Sequence, residues 1–371
     1  MTEQLVAPLP TPCRIVEADG QVHVGWFRDP VVDVNLAAAA PRHALAGLRG
    51  GPLDFVERGF RQLRLKRWLY LSAVSPEAFV GFAVVHAGYA GSAFAYVVDR
   101  SSGRRYEWST LAPLGRGVHI APSSVSGTTS IDQRGFGRIV IERDPRAWRA
   151  TLELDGQLGK APRPPLDARL EVVDEGRHPS PVVVVEESAP GAWLYTHKCY
   201  GLAASGRLAC GAFTSKFDHA TSHAGLDYNC GFRPRETWWN WAAAGGFDRA
   251  GRRVGFNLTA HRPWAQEAAS DADAADCALW LPGGTVKIPK VTFDYAPERR
   301  LEPWRIRDGE GLVDLVFEPE GERHEDVDLG VVVSRFHQPY GRFRGTLRSR
   351  EGEVSELDDV FGVTEQHFAR W

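Results

Sequence analysis

The 371-residue sequence has little methionine, few cysteines and almost no charge imbalance. It contains one Met and five Cys, and 44 Lys and Arg oppose 47 Asp and Glu, which gives a formal net charge of −3. Nucleic-acid and anionic-membrane binders usually carry a basic surplus, so the near-neutral balance argues against both partner classes. The cysteines form no Cys-x-x-Cys pair, which favours reduced thiols in the core over a disulfide framework. They are Cys13, Cys199, Cys210, Cys230 and Cys277.

Several motifs of nucleotide, hydrolase and metal sites are also absent from the sequence. It contains no Gly-x-Gly-x-x-Gly, no P-loop and no Gly-x-Ser-x-Gly, so dinucleotide binding, P-loop chemistry and nucleophile-elbow hydrolysis lack support. His219 and His223 have the i, i+4 spacing that presents two imidazoles from a helix, but their surroundings are not typical of a helix. We therefore predict no metal site and no cofactor.

The sequence gives two indications about export and membranes. Residues 1–8 lack a basic stretch followed by an apolar core, so we expect no signal peptide and a cytoplasmic protein. Residues 78–98 carry no fixed charge, a run long enough to suggest a transmembrane helix. However, the run contains three glycines and has His86 and Tyr89 near its centre, where a spanning helix would be most apolar. We therefore predict a hairpin of Ala78–Val85 with Ala93–Val98, and no integral membrane segment.

Short alternating segments predict an all-β protein. Each is bounded by Asp, Gly or Pro, and apolar side chains recur at every second position. The clearest are Gly137–Arg143, Arg149–Gly156 and Leu166–Val173, with Val182–Val185 as a fully buried strand. Helices are scarce; the best candidate is Leu36–Leu48, which Pro41 limits to a short element.

Two further features concern organisation and charge. Pro- and Gly-rich stretches on either side of residue 190 predict a boundary between an N-terminal β domain, residues 1–190, and a C-terminal β-barrel domain, residues 191–371.

The one dense basic stretch is Arg58, Arg61, Arg64, Lys66 and Arg67. There Arg64 and Lys66 alternate with Leu63 and Leu65, so we interpret it as an exposed strand face.

The Trp-rich stretch Arg235–His261 predicts two strands joined by a turn, with a helix over its first half as the competing interpretation. Alternation places Trp239, Trp241 and Ala243 on one face and Trp238, Asn240 and Ala242 on the other. On the return strand, Asn257 shares a face with Thr259.

If the strand register allows it, Asn240 and Asn257 would be neighbours. A buried amide among aromatic side chains needs hydrogen-bond partners, because an unpaired one costs about 1–3 kcal/mol. Such an amide could orient a ligand carbonyl or hydroxyl, or it could form a cross-strand hydrogen bond within a packed sheet.

An ordered set of motifs carries a family resemblance. In the C-terminal half the set is Asp227-Tyr228, Arg235–Ala242, Gly255–Leu258, Pro303-Trp304, Phe317–Pro319, His337–Gly345 and Glu365–Trp371; in the N-terminal half it is Asn35, Lys66–Trp68, Gly88-Tyr89, Tyr96 and Asp99. Together they resemble the bacterial domain of unknown function 2804 family across most of the chain. The sequence departs from the family at Ala275-Asp276-Cys277, where a Glu-Asn pair is usual.

The resemblance implies a fold but no established activity. More distantly, such proteins are similar to the calycin-like double β-barrels of carotenoid hydratases and tocopherol cyclases, which hold lipophilic molecules in a pocket. The fold class that follows is all-β, with two lipocalin-like (calycin-like) antiparallel β-barrel or sandwich domains and few short helices.

Three functional hypotheses follow. In the first, the aromatic strands bind a small lipophilic or amphipathic molecule, and the side chains around it are Trp238, Trp239, Asn240, Trp241, Asn257, His261 and Gln338. In the second, the protein is a hydratase or cyclase in which one acid protonates an unsaturated lipid or terpenoid. The candidate groups are Asp227, Glu236 and Glu365 with His367. In the third, the protein is structural or stress-related and holds no ligand.

Overall fold

Two antiparallel sheets, one a nearly closed barrel and the other a half-barrel, dominate the computed structural model. The structure describes residues 8–41, 43–157, 162–173, 182–189, 191–261 and 276–371. Over these ranges it has one α-helix, α1 (Asp54–Arg64), and no helix long and apolar enough to cross a membrane. The prediction of an all-β fold with few short helices is therefore confirmed.

Within the described ranges, the first sheet has 14 strands. They are β1 (Gly25–Phe27), β2 (Leu65–Val74), β3 (Ala78–His86), β4 (Ala90–Asp99), β5 (Arg105–Pro113), β6 (Val118–His119), β7 (Gly127–Gln133), β8 (Gly137–Asp144), β9 (Ala147–Leu154), β10 (Leu166–Val173), β11 (Val182–Ala189), β12 (Ala192–Cys210), β13 (Phe213–Phe217) and β14 (His223–Phe232). The order is β5-β4-β3-β2-β14-β12-β10-β9-β8-β7-β6, with β11 and β13 also paired to β12 and β1 paired to β11.

The second sheet has nine strands among the residues that the structure describes. They are β15 (Glu236–Phe247), β16 (Arg253–His261), β17 (Ala278–Leu281), β18 (Gly284–Lys287), β19 (Val291–Asp294), β20 (Trp304–Asp308), β21 (Val313–Asp328), β22 (Val333–Arg348) and β23 (Val354–Arg370). The order is β18-β17-β16-β15-β23-β22-β21-β20-β19.

Several local predictions are confirmed by these strands. The uncharged run forms the β3–β4 hairpin, in which Val85 pairs with Ser92 and Gly88 has a positive φ of 87° in the turn. The alternating segments are strands β8, β9, β10 and β11, and the Trp-rich stretch is the β15–β16 hairpin rather than a helix.

The basic stretch was predicted as an exposed strand face, and this is wrong for most of it. Residues 54–64 form α1, because Asp54 and Glu57 lie in its first turn and Arg61 and Arg64 in its last, where they complement the helix dipole. Lys66 follows in β2 and is buried, and its Nζ donates to the carbonyls of Leu63 and Ala87.

Two smaller predictions also need correction. The segment Leu36–Leu48 contains two short 3-10 turns, Leu36–Ala38 and Ala46–Leu48, instead of one helix, since Pro41 removes a backbone donor between them. Cys13 is exposed rather than part of the core, whereas the other four cysteines are buried, and all five are free thiols.

The sheets meet where β12 crosses β15 and β16. At the crossing, β12 has a bulge between Tyr200 and Leu202, and Gly201 in the bulge has a φ of 82°. A Cβ on Gly245 would lie 2.4 Å from the Gly201 nitrogen, so the two backbones touch directly. Only glycine allows this approach.

Side chains alternate between two cores across β15. Trp241 and Ala243 belong to the larger core, which they share with the first sheet, whereas Ala242 and Ala244 belong to a core on the opposite face of the second sheet. The chain passes from one sheet to the other between Phe232 and Glu236, and the strands that end at Ala189 and begin at Ala192 both belong to the first sheet. The division into two domains stays a prediction.

Candidate functional site

A cavity of about 260 Å³ lies between the two sheets. Its walls come from β2, β3, β4, β5, β11, β12 and β14 of the first sheet and from β15, β16, β21, β22 and β23 of the second. The Trp, Tyr and Phe side chains that line it are Trp68, Tyr70, Tyr89, Phe94, Trp239, Trp241, Phe336 and Trp371. The volume is close to the lower end of the range for small-molecule pockets, about 300–1,000 Å³, and the mostly apolar wall with a few polar groups is typical of such sites.

Glu365 is a carboxyl group buried in this aromatic wall. It lies on β23 on the same face as Phe361 and Val363 of the shared core, and 5% of the residue is exposed. Its Oε1 accepts from Trp239 Nε1 at 2.6 Å and its Oε2 accepts from Gln338 Nε2 at 3.0 Å. Burial raises the pKa of Glu365 to about 7, although both hydrogen bonds act in the opposite direction.

Gln338 connects this carboxyl group to the first sheet. Tyr96 on β4 donates its hydroxyl to Gln338 Oε1 at 2.7 Å. Because the amide oxygen is occupied by Tyr96, the Gln338 nitrogen faces Glu365. Both Tyr96 and Gln338 are buried, so the chain Tyr96–Gln338–Glu365 holds the carboxyl group in one orientation.

His367 is the second titratable group at this end of the cavity. Its ring contacts Trp239 edge-on, with centroids 4.2 Å apart, and its Nε2 lies 3.0 Å from Ser334 Oγ. The buried Nδ1 has no hydrogen-bond partner among the described residues and lies 3.8 Å from Glu365 Oε1. Burial lowers the pKa of His367 to about 3, so the imidazole is neutral at pH 7.

A charged cluster occupies another part of the wall. Lys198 on β12 pairs with Asp276 at 2.8 Å and with Asp227 on β14 at 3.3 Å. Strand β14 is buried along its whole length, so its polar groups need partners, and Asn229 donates to Asp227. The shorter contact with Lys198 holds the pKa of Asp276 below its usual range, whereas burial raises the pKa of Asp227.

Arg323 is a further buried cation in the wall. Its guanidinium lies 4.0 Å from the centre of the Phe94 ring and 5.0 Å from that of Phe336. It forms ion pairs with Glu107 at 3.1 Å and with Glu325. The charge is therefore compensated by two carboxylates and two aromatic rings.

The structure brings most of the predicted site residues together. Asp227, Trp239, Trp241, His261, Gln338, Glu365 and His367 all line the cavity. His261 ends β16 opposite Trp239, and burial lowers its pKa to about 4. Glu236 does not belong to this group, since it is exposed and forms an ion pair with Arg370 at 2.8 Å.

The predicted proximity of Asn240 and Asn257 is wrong. In the observed register Asn240 pairs with Ala260 and Asn257 with Ala243, so the two amides lie on opposite faces of the hairpin. Asn240 donates to the Tyr295 hydroxyl at 2.8 Å, away from the cavity.

Asn257 lies behind the cavity wall. It accepts from Trp241 Nε1 at 2.7 Å and donates to the Asp276 carbonyl at 2.9 Å, and neither Asn257 nor Asn240 is among the lining residues. Trp238 lies on the same face of β15 as Asn240, also outside the lining. A direct role of these three residues in ligand binding stays a prediction.

Sequence reasoning missed several lining residues, namely Glu186, Lys198, Arg233, Asp276 and Arg323. A signal existed for Lys198, which is the one fixed charge between Ala192 and Ser205 in an otherwise apolar segment. Asp276 belongs to the sequence Ala275-Asp276-Cys277, which the sequence analysis identified as a departure from the family resemblance. Arg323 carried no signal, because most of the surrounding residues 318–328 are also charged.

Comparisons with known proteins place the chain in a family. No curated protein matches it. Among solved structures it is similar to kievitone hydratase from Nectria haematococca, at 13% identity, TM-score 0.47, and coverage of 81% of this chain and 88% of that one. It is also similar to a protein from Nitrosomonas europaea assigned as an AttH, at 14% identity, TM-score 0.48, and coverage of 82% and 92%.

A third solved structure, CghA with Sch210972, has 11% identity, a TM-score of 0.42, and coverage of 82% of this chain and 88% of that one. At these TM-scores the similarities carry no argument about function. The family model described as Domain of unknown function (DUF2804) matches residues 8–371. The chain therefore belongs to the DUF2804 family.

Proposed function

We propose that the protein binds a small, mostly apolar molecule in the cavity between its sheets and catalyses proton transfer to or from it through Glu365. The observation that carries this proposal is a buried carboxyl group in an aromatic wall with a pKa raised to about 7. A group with a pKa near the working pH is present in both its acid and its base form, which suits general acid–base catalysis.

The surroundings of Glu365 support this role. The chain Tyr96–Gln338 and the Trp239 indole fix both carboxyl oxygens, so the group is oriented before a ligand enters. His367 is neutral and its Nδ1 faces the carboxyl group at 3.8 Å. A neutral imidazole at this position could relay a proton between Glu365 and a water molecule.

Hydration of a double bond is the reaction class that Glu365 and His367 serve best. Protonated Glu365 gives its proton to one carbon of the ligand's double bond, water adds at the other carbon, and the Glu365 carboxylate recovers a proton from that water. The aromatic side chains Trp239, Phe336 and Phe94 would stabilise the positive charge that develops on the ligand. A cyclase would use the same first step, with an internal group of the ligand in place of water.

Ligand capture followed by isotope incorporation tests the proposal. Native mass spectrometry of the protein from its own host, with solvent extraction, identifies the bound molecule. Incubation of that molecule with the protein in heavy water should introduce deuterium at carbon. We expect Glu365→Gln to bind the molecule without incorporating deuterium, and Glu236→Gln to behave like the wild type.

Two outcomes would contradict the proposal. Deuterium incorporation by Glu365→Gln at the wild-type rate would exclude Glu365 as the proton donor. A tightly bound molecule that gains no deuterium with either protein would instead favour the carrier hypothesis.

A further inference from the structure

Three buried cations line the cavity, and two of them are paired. Lys198 is held by Asp227 and Asp276, and Arg323 is held by Glu107 and Glu325. Arg233, on the link between β14 and β15, differs from both: within the described part of the chain, no carboxylate lies within ion-pair distance of it.

Arg233 is nevertheless buried and positioned. It is 9% exposed, and its guanidinium carbon lies 4.6 Å from the centre of the Trp68 ring and 5.3 Å from that of Trp239. Its Nε is fully buried and has no hydrogen-bond partner among the described residues. Two indoles thus hold the planar group at the cavity wall, while no described residue accepts a hydrogen bond from its donors.

Nearby carboxyl groups compensate this charge only in part and from beyond ion-pair distance. Burial lowers the pKa of Arg233, and Glu186, Asp227 and Asp276 act in the opposite direction. Burial raises the pKa of Glu186 to about 8, so this group is mostly protonated at pH 7, and Asp227 and Asp276 form their ion pairs with Lys198. A buried guanidinium without a carboxylate in contact is costly, and a ligand oxygen anion bound to it would offset that cost.

We infer that Arg233 anchors the carboxylate of an amphipathic acid, so that the ligand class is an unsaturated carboxylic acid with an apolar body. A guanidinium donates two parallel hydrogen bonds to a carboxylate, which fixes both position and orientation. This inference rests on the proposed function for the reacting group, but the anchoring site itself does not depend on the chemistry at Glu365.

Trp239 relates the anchor to the reactive group. One indole contacts Arg233 through its ring and donates its N–H to Glu365 at 2.6 Å. A ligand carboxylate at Arg233 is therefore separated from Glu365 by about the width of one indole side chain. The double bond of the ligand would accordingly lie several carbons from its carboxylate.

Calorimetric titration with three ten-carbon probes tests the anchor. Decanoate, decanol and decylamine share one apolar chain and differ in head group, and each is used below its micelle concentration. For the wild type we expect decanoate to bind at least tenfold more tightly than decanol, and decylamine to bind most weakly. Arg233→Met, which keeps an apolar stem of similar length, should weaken decanoate binding at least tenfold and change decanol binding less than twofold.

Matched variants separate the anchor from folding and from catalysis. Arg233→Lys keeps the charge but loses the paired donors, so it should retain part of the decanoate preference. Glu236→Gln, which breaks the exposed pair with Arg370, should bind decanoate like the wild type, and the decanoate preference of the wild type is expected whether or not deuterium incorporation shows that Glu365 transfers a proton. Three results with the wild type would overturn the inference: equal binding of decanoate and decanol, tightest binding of decylamine, or no binding of any probe. Equal losses of decanoate and decanol binding in Arg233→Met would also overturn it.

Discussion

The Trp239 indole donates its N–H to Glu365 diagonally across β15 and β23, since Trp239 pairs in register with His367 and Glu365 pairs with Trp241. This bond favours the ionised form of Glu365, whereas burial favours the protonated form. The balance between them places the pKa of the carboxyl group near neutrality.

Replacement of Trp239 by Phe should therefore raise the pKa of Glu365 further above 7, because phenylalanine lacks the N–H donor. Difference infrared spectra of the carboxyl stretch against pH, wild type minus Glu365→Gln, would report this directly. Trp241→Phe is the matched control, since the Trp241 N–H bonds to Asn257 instead. An unchanged Glu365 titration in Trp239→Phe would show that the indole bond has no influence on the acid.

Glu365 also makes the free energy of unfolding depend on pH. Its pKa rises from an ordinary 4.5 to about 7 on folding, so the folded state binds more protons between these values. The contribution of Glu365 to the free energy of unfolding therefore falls by about 3 kcal/mol in total as the pH increases through this window. Urea unfolding measures this free energy for the wild type and for Glu365→Gln at pH 4.5 and pH 8. From the lower to the higher pH, the free energy of unfolding of Glu365→Gln should increase by about this amount relative to that of the wild type. A difference that does not vary with pH would contradict the raised pKa.

Lys198 should be important for stability because it compensates two buried carboxylates. Lys198→Met leaves Asp227 and Asp276 without their cation and should cost about 3–5 kcal/mol of unfolding free energy. Addition of Asp227→Asn and Asp276→Asn should recover most of the loss. Arg370→Met, which breaks the exposed pair with Glu236, should cost less than about 1 kcal/mol. Equal losses in Lys198→Met and Arg370→Met would show that the buried cluster is not needed for folding.

The contact between sheets at Gly245 leaves no room for a side chain. A Cβ there would lie 2.4 Å from backbone nitrogen, so Gly245→Ala must separate β15 from β12 and should cost at least about 1–3 kcal/mol. The neighbouring Gly246→Ala would place its Cβ 3.1 Å from the Val360 side chain, which can move, and should cost less. Thermal unfolding of both variants tests this; a more harmful Gly246→Ala would contradict the observed packing.

The sequence predicted the strands well because their alternation is a local property. The β3–β4 and β15–β16 hairpins and the shared face of Trp239 and Trp241 follow from a period of two, whereas the choice of which face lines the cavity does not. The basic stretch 58–67 misled the strand interpretation. The alternation of leucine with Arg64 and Lys66 concealed the i, i+4 pair of Asp54 with Arg58 in α1.

The site was harder to predict because it depends on contacts between distant strands. Glu365 and His367 extend the buried face of Phe361 and Val363, so their inward orientation could be expected. Strand register, by contrast, is not local, and it placed Asn240 and Asn257 on opposite faces. The pairing of Lys198 with Asp276, 78 positions later in the chain, likewise depends on how the sheets cross.

The residues that line the cavity come from two different sheets, and this has an evolutionary consequence. Glu365, His367, Gln338 and Trp239 all belong to the second sheet, whereas Trp68, Tyr70, Ala83 and Phe94 belong to the first. Substitutions in β2 and β3, and in β4 away from Tyr96, can therefore change the shape of the cavity while Glu365 and its hydrogen bonds to Trp239 and Gln338 persist. In descendants of this fold, the shape of the cavity can diverge through one sheet while the buried acid is inherited through the other.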